Sequence, residues 1–125
     1  MKPKLRVWVV FHEGLKLGDG RARLLRLIDE RGSLRQAATA LGMSYRNAWG
    51  YLRDLERAAG FAFVERSPHG RARSGMRLTA EARAFLARYG RFQRRLETMA
   101  AREFARAFAR VGPPRARGRP SRRRA

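Results

Sequence analysis

Residues 33–60 read SLRQAATALGMSYRNAWGYLRDLERAAG, and this stretch predicts two helices joined by a tight turn. Ser33 followed by Gln36 forms a capping box, after which small apolar residues recur at helical spacing. Gly42 stands where the first helix must end in a left-handed conformation, and Ser44 can cap the second helix. Capping, turn chemistry and periodicity therefore agree on a helix-turn-helix unit.

The second helix of this unit has two distinct faces when its residues are placed about 100° apart. The outward face carries Arg46, Gly50, Arg53 and Arg57. A glycine inside a helix costs about 1 kcal/mol relative to alanine, and close approach to a groove or a backbone is one reason for its presence. Trp49 lies between the faces, where it either covers the edge of the core or contacts DNA. The inward face consists of Ala48, Leu52, Leu55 and Ala59, with Tyr45 and Tyr51 at its margins.

The whole chain is strongly basic. Its 125 residues include 30 Lys and Arg and 10 Asp and Glu, which gives a formal net charge of +20. Such an imbalance indicates a polyanionic partner, and nucleic acid is the leading candidate because guanidinium groups bind phosphates and guanine edges. A GC-rich genome is an alternative reason for arginine in place of lysine, so the net charge is the more reliable sign.

Catalysis and metal binding have little support in the sequence. There are no cysteines, and the two histidines, His12 and His69, lack the spacing with carboxylates that a zinc or catalytic site needs. No nucleophile–base pair, acidic cluster or phosphate-binding glycine loop is visible. The apolar run near the amino terminus is interrupted by Arg6 and is too short to span a membrane. We therefore expect no catalytic residue, metal ligand, cofactor or membrane association.

The segments before the helix-turn-helix are predicted to support it. Residues 5–11 show the alternation of a half-buried strand. Asp19 can cap a helix that ends at Gly32. The inward face of the strand consists of Leu5, Val7, Val9 and Phe11, and that of the helix of Leu24, Leu25, Leu27 and Ile28.

After Gly60, the segments FAFVERS and MRLT predict the two strands of a hairpin. The basic loop between them predicts a wing at 67–76, whose tip carries His69, Arg71 and Arg73.

A long helix is predicted to follow the hairpin. Thr79 can cap it, Glu81 is favourably placed against its dipole, and no proline occurs from 80 to 110. About 46 Å of helix is more than a small domain can cover, so the apolar stripe predicts a partner helix from a second copy of the chain. The alternative is that the stripe packs on its own domain. The predicted dimerisation residues are Phe85, Tyr89, Phe92, Leu96, Met99 and Phe104.

Residues 112–125 contain six arginines and no acid, without apolar periodicity. This composition predicts a disordered basic tail. Within it, the run from Arg117 through Gly118 and Arg119 to Pro120 resembles the core of an AT-hook, which places arginines in a narrow minor groove. Non-specific binding to phosphates is the alternative.

The segment SYRNAWGYLRDLERAAGFAFVERS, followed by a basic loop and RLT, resembles the winged helix-turn-helix of LysR-type regulators, and more specifically that of molybdate-responsive ModE-type regulators. The resemblance covers residues of about 19 to 100. It implies binding to operator DNA as a homodimer, with the second helix in the major groove, the wing on the flank and the long helix at the dimer interface. Full-length members of these families also carry an effector or oxyanion-binding domain. We expect neither in this chain, which leaves the sensing of molybdate or any other effector open.

These features predict a fold that is mainly α with a small β-hairpin, a winged helix-turn-helix at 1–79 followed by a dimerisation helix at 80–111 and the tail at 112–125. The predicted function is that of a sequence-specific transcriptional regulator in the cytoplasm of a prokaryotic cell, at the nucleoid. It would bind double-stranded DNA with helix 44–59 in the major groove and the 67–76 wing on the flank. The alternative is a nucleoid-associated or architectural protein with little sequence preference. The predicted DNA contacts are Arg35, Ser44, Tyr45, Arg46, Asn47, Trp49, Gly50, Arg53, His69, Arg71, Arg73, Arg117 and Arg119.

Overall fold

The computed structural model describes residues 1–12, 14–67 and 75–111. It has two small antiparallel hairpins and four helices within those ranges, which confirms the predicted winged helix-turn-helix with a long carboxy-terminal helix. The elements are β1 (Val9–Val10), β2 (Lys16–Leu17), α1 (Asp19–Arg31), α2 (Leu34–Ala40), α3 (Tyr45–Ala59), β3 (Val64–Arg66), β4 (Met76–Leu78) and α4 (Ala80–Ala107).

Residues 6–91 form one compact unit, and residues 1–5 fall with the chain from residue 92 onward in a second. The first unit therefore ends inside α4, whereas the sequence places the end of the winged helix-turn-helix at 79. The difference arises because the first three turns of α4 bury Ala82, Leu86 and Tyr89.

The core of the first unit is formed by the inward faces of α1, α2 and α3, the first three turns of α4 and the segments around the two hairpins. All four apolar residues predicted for α1 are buried, as are three of the four predicted for the inward face of α3. The largest side chains that are fully buried are Phe63, Leu17, Leu24, Leu25, Ile28, Leu52 and Leu55.

The amino-terminal strand is shorter than predicted. Only Val9–Val10 is a strand, and it pairs with Lys16–Leu17 across a turn. The turn is closed by hydrogen bonds from Phe11 N–H to the Leu15 carbonyl and from Gly14 N–H to the Phe11 carbonyl, both 2.8 Å. The alternation of exposed and half-buried residues holds from Val7 to Phe11, but Leu5 is exposed.

The start of α1 also differs from the sequence-based expectation. The N-cap is Gly18, which makes no side-chain cap, and Asp19 is the first helical residue. The prediction of Asp19 as the cap is wrong by one position. The carboxylate lies instead in the first turn, where the helix dipole favours a negative charge.

Helix α4 begins as predicted. The Thr79 hydroxyl accepts a hydrogen bond from Ala82 N–H at 3.0 Å and donates one to the Ala62 carbonyl at 2.7 Å. Thr79 is buried, so one side chain both caps the helix and ties it to the segment before β3.

Two residues predicted to form a dimer interface lie in the core of their own unit. Tyr89 is 3% exposed, and its hydroxyl donates to the Val7 carbonyl at 3.0 Å. The Phe85 ring packs against Phe11 and Phe63, with ring centroids 6.0 and 5.8 Å apart. For these two residues the alternative held open in the sequence, packing on the same domain, is the one observed. The dimer contact proposed below therefore omits these two residues.

Candidate nucleic-acid interface

The orientation of α3 is set by the turn that precedes it. Gly42 has φ of 70°, a left-handed conformation that a glycine adopts without strain. The Ser44 hydroxyl then accepts a hydrogen bond from Asn47 N–H at 3.0 Å, which satisfies one of the amide groups left open at the start of α3. These two features confirm the predicted turn.

Close packing of α2 against α3 depends on three small side chains. Ala37, Ala38 and Ala48 are at most 1% exposed. Ser33 caps α2 by accepting from Gln36 N–H at 3.1 Å, as its place in the sequence predicts. A rigid helix-turn-helix is therefore built from local caps and a small-residue contact.

The outward face of α3 presents two exposed arginines, Arg46 and Arg53. Neither has an acidic partner among the residues that the structure describes. By contrast, Arg57 near the end of the same helix pairs with Asp54 at 3.1 Å. Positive charge on this face is therefore concentrated at Arg46 and Arg53, where a guanidinium can bind a phosphate or a guanine edge.

Aromatic side chains flank this face at the beginning of α3. The indole Nε1 of Trp49 donates to the Tyr45 hydroxyl at 2.7 Å, and the two rings meet edge to face. The guanidinium of Arg35 lies over the Tyr45 ring, 4.1 Å from its centroid. The structure thus brings together three predicted contact residues, and Arg35 on α2 reaches the amino-terminal end of α3.

Trp49 covers the edge of the core, one of the two roles considered from the sequence, and its contact with DNA stays a prediction. It is half-buried and packs against the core, and it also lines a depression on the outward face together with Tyr45, Arg46, Gly50 and Arg53.

Tyr51, predicted at the margin of the inward face, belongs to the core. It is 7% exposed, and its burial raises the pKa of the hydroxyl to about 12 against the opposing effect of the Arg21 charge. Arg21 lies over the Tyr51 ring at 4.4 Å. Tyr51 therefore keeps its proton at physiological pH and anchors α3 rather than facing a ligand.

The base of the wing is well defined. β3 and β4 pair in the register Val64 with Leu78 and Arg66 with Met76. Glu65 and Arg77 face each other across the hairpin at 2.7 Å. The wing-tip residues His69, Arg71 and Arg73 lie outside the described residues, as do Arg117 and Arg119 of the tail.

Two acidic residues hold the wing on the helix-turn-helix, and the sequence-based reasoning missed both. The Glu56 carboxylate accepts hydrogen bonds from the backbone N–H groups of Phe63 at 2.7 Å and Val64 at 3.3 Å. Asp29 accepts from Leu78 N–H at 3.0 Å. Other acids stand in the same helices, such as Glu30 in α1 and Asp54 in α3, so no local sequence signal distinguishes Asp29 and Glu56.

Asp29 also binds Arg83 through two parallel hydrogen bonds of 2.9 and 3.1 Å. The hydrogen bond from Arg83 is the main cause that lowers the pKa of Asp29 below its ordinary value of 3.8, while burial acts in the opposite direction. The charged carboxylate therefore stabilises the junction of α1, β4 and α4.

We expect Asp29→Asn to lower the free energy of unfolding by about 1 kcal/mol at neutral pH, because the charge-assisted pair is lost. A lowered folded-state pKa means that the unfolded chain binds more protons in acid. The contribution of Asp29 to the free energy of unfolding is thus complete above pH 3.8, and it is lost as the pH falls through the folded-state pKa. Urea unfolding from about pH 2 to pH 7 should show a flatter acid limb for the variant than for wild type. Asp54→Asn, which removes an exposed pair, is the matched control, and an unchanged acid limb in Asp29→Asn would contradict this role.

The sequence of the first unit identifies its family. Residues 21–83, about half of the chain, match the sequence model of the bacterial regulatory helix-turn-helix proteins of the lysR family. The chain belongs to this family. The family is one of regulatory helix-turn-helix proteins, which is not an enzyme class, and the resemblance inferred from the sequence is confirmed.

Similar proteins include two that carry the name ModE. The molybdenum transport protein ModE of Azotobacter vinelandii is 36% identical over 76 residues, which cover 61% of this chain and 28% of that protein. The transcriptional regulator ModE of Haemophilus influenzae is 30% identical over 89 residues, which cover 71% of this chain and 35% of that protein. The chain therefore spans about a third of the length of these relatives.

Solved structures of LysR-family proteins share the fold. The DNA-binding domain of CbnR in complex with DNA is 27% identical, with a TM-score of 0.53 over 71% of this chain and 98% of that one. Full-length CbnR complexed with its target DNA gives a TM-score of 0.53 at 26% identity, over 72% of this chain and 30% of that one.

Residues 1–12, 14–67 and 75–111 lack two further classes of feature. No helix there has the length and apolar character needed to cross a membrane. Within the same ranges, no three histidine or acidic side chains come together as a metal site.

Proposed function

We propose that this protein is a sequence-specific transcriptional regulator that binds operator DNA as a homodimer, in the cytoplasm of a prokaryotic cell at the nucleoid. The observation that carries the proposal is the outward face of α3, where Arg46 and Arg53 are exposed on a helix fixed by caps at both ends. A rigid helix with such a face fits the major groove, where arginine binds guanine edges bidentately.

The contacts divide into two classes. Arg46, Gly50 and Arg53 would lie against base edges and adjacent phosphates, because they occupy successive turns of the outward face. Ser44 and Asn47 stand at the amino-terminal end of α3, where backbone amides and short polar side chains bind phosphates. Membership of a regulatory family supports the proposal, as does the likeness to CbnR, whose domain was solved in complex with DNA.

The remaining parts of the chain would extend this interface. The wing would bind phosphates beside the groove through His69, Arg71 and Arg73. The tail would add sequence-independent affinity through arginines such as Arg117 and Arg119, in an AT-hook or along the backbone. The part of α4 from residue 92 onward would form the dimer contact. The chain would thus consist of a DNA-binding domain, a dimerisation helix and a basic tail.

The competing function is that of a nucleoid-associated or architectural protein. Both functions predict salt-dependent binding to any DNA, so total affinity does not separate them. The test is to recover a preferred duplex from a random library and to compare its affinity with that of random DNA at physiological salt. A regulator should prefer the recovered duplex by at least about 10³-fold. A ratio near one would favour the architectural function.

The contribution of the wing is a separate prediction. We expect Arg71→Ala and Arg73→Ala each to reduce the slope of log affinity against log salt by about one unit, since each removes one phosphate contact. Filter binding at several salt concentrations measures this slope. An unchanged slope in both variants would exclude the wing from the interface.

A further inference from the structure

The outward face of α3 is not flat. It has a depression lined by Tyr45, Arg46, Trp49, Gly50 and Arg53, which follow one another at i, i+1, i+4, i+5 and i+8. Gly50 is half-buried at its centre, while Arg46 lies about one turn before it and Arg53 about one turn after it. This depression lies on the face proposed to enter the groove.

Gly50 is required neither by the backbone nor by the interior packing. It is not among the glycines with positive φ, and a Cβ built on it meets no atom within 4 Å apart from its two chain neighbours and the backbone of its own helix. A glycine inside a helix nevertheless costs stability relative to alanine. The absent side chain therefore leaves open space on the outward face of α3.

The aromatic part of the wall is apolar, and Arg46 and Arg53 complete the lining. The only donor of the Trp49 indole is directed to the Tyr45 hydroxyl at 2.7 Å. The Arg35 guanidinium lies over the Tyr45 ring and holds the phenol in place. The indole thus has no donor left for a base edge, and what it presents to the depression is carbon.

Among the groups exposed in the major groove, the apolar one is the 5-methyl group of thymine. We propose that the depression over Gly50 receives this methyl group, so that the protein selects thymine over cytosine at the corresponding position of each half-site. The inference rests on the proposed function, and it names the base that this part of α3 recognises. Arg46 and Arg53 would contact guanine edges or phosphates on either side.

The test uses a duplex recovered by selection from a random library, in which single thymines are replaced by deoxyuridine. This replacement removes the methyl group alone and keeps base pairing. In each half-site, replacement of one particular thymine should lower the affinity of the wild-type protein about fourfold. This change corresponds to one buried methyl group at about 0.8 kcal/mol. Replacement in both half-sites should give about fifteenfold, since the two sites are distant and their effects add.

The decisive variant is Gly50→Ala, which places a methyl group of the protein where the methyl group of the DNA would lie. We expect it to bind the uracil duplex as tightly as wild type binds the thymine duplex, and to lose its preference for thymine. Alanine favours the helix, so the fold is retained. Gly20→Ala is the matched control, because Gly20 is an exposed helical glycine whose Cβ also meets no atom within 4 Å. It should keep the wild-type preference.

Two failures are distinguishable. Equal affinity of wild type for the selected and the random duplexes would overturn the proposed function. If wild type strongly prefers the selected duplex but replacement of thymine by deoxyuridine changes its affinity at no position, this inference alone is overturned. The same holds if the replacement lowers the affinity of Gly50→Ala as much as that of wild type.

Discussion

Replacement of both Arg46 and Arg53 by alanine is expected to weaken binding to the selected operator by about 2 to 6 kcal/mol, since each lost base-edge contact costs about 1 to 3 kcal/mol. The free energy of unfolding should change by less than about 0.5 kcal/mol, because both side chains are exposed. Titration of the operator and urea unfolding of the same samples give the two quantities. A large loss of binding with an intact fold would locate specificity on the outward face of α3.

The matched control is the double variant Arg23→Ala with Arg26→Ala, two exposed arginines of α1. It removes the same charge from the protein but leaves α3 unchanged. We expect both double variants to bind random DNA somewhat more weakly, because part of this affinity comes from net charge. Only the α3 variant should lose preference for the selected duplex. Wild-type operator affinity in the α3 variant would contradict the assignment.

The second large effect is expected at the apolar surface of α4. The apolar stripe of α4 continues beyond Arg91, where the first unit ends. Here Phe92 and Met99 are 51% and 56% exposed. Leu96 lies between them on the same face, and Phe104 stacks on Phe108 farther along at 4.6 Å. Exposed apolar side chains aligned along a helix are typical of an interface. We therefore propose Phe92, Leu96, Met99 and Phe104 as the dimer contact.

The double variant Phe92→Gln with Met99→Gln should be monomeric at micromolar concentration, where the wild-type protein should sediment as a dimer. Glutamine keeps helix propensity and net charge, so the change is confined to the apolar surface. Its affinity for an operator with two half-sites should fall about 10²- to 10⁴-fold, because the second half-site is no longer bound at high effective concentration. Affinity for a single half-site should stay near that of a wild-type subunit.

Thr98→Gln with Ala105→Gln provides the control for this experiment, since both side chains are exposed on the side of α4 opposite Phe92 and Leu96. This variant should remain a dimer. A wild-type protein that sediments as a monomer at micromolar concentration, or a Phe92 and Met99 variant that stays dimeric, would contradict the proposed interface.

The helix-turn-helix could be predicted because its signals are local. Ser33 and Ser44 cap through bonds three residues away, and Gly42 and Gly60 take the left-handed conformations that end α2 and α3. Each of these features depends on residue type within one turn of helix. The inward faces of the helices could be predicted from the spacing of their apolar residues, which does not depend on what they pack against.

The errors occurred where the answer depends on distant parts of the chain. The apolar stripe of α4 is continuous in sequence, and only the packing of Phe11 and Phe63 shows that Phe85 is covered by its own unit. Asp29 reaches Leu78 across 49 positions, a contact that no local pattern announces. Asp19 is a smaller error of one residue, because aspartate is favourable both at an N-cap and in the first turn.

The position of α3 on DNA can be measured directly, because the chain has no cysteine and a single introduced cysteine would carry a unique label. Arg57→Cys places such a label on an exposed position of α3, and a tethered iron chelate then cleaves the nearest DNA of the selected operator. The proposed function predicts two clusters of cleavage, placed symmetrically about the centre of the operator, each with the strand offset of a major-groove site. Binding without cleavage, or cleavage in a single cluster, would contradict a homodimer that reads operator DNA through α3.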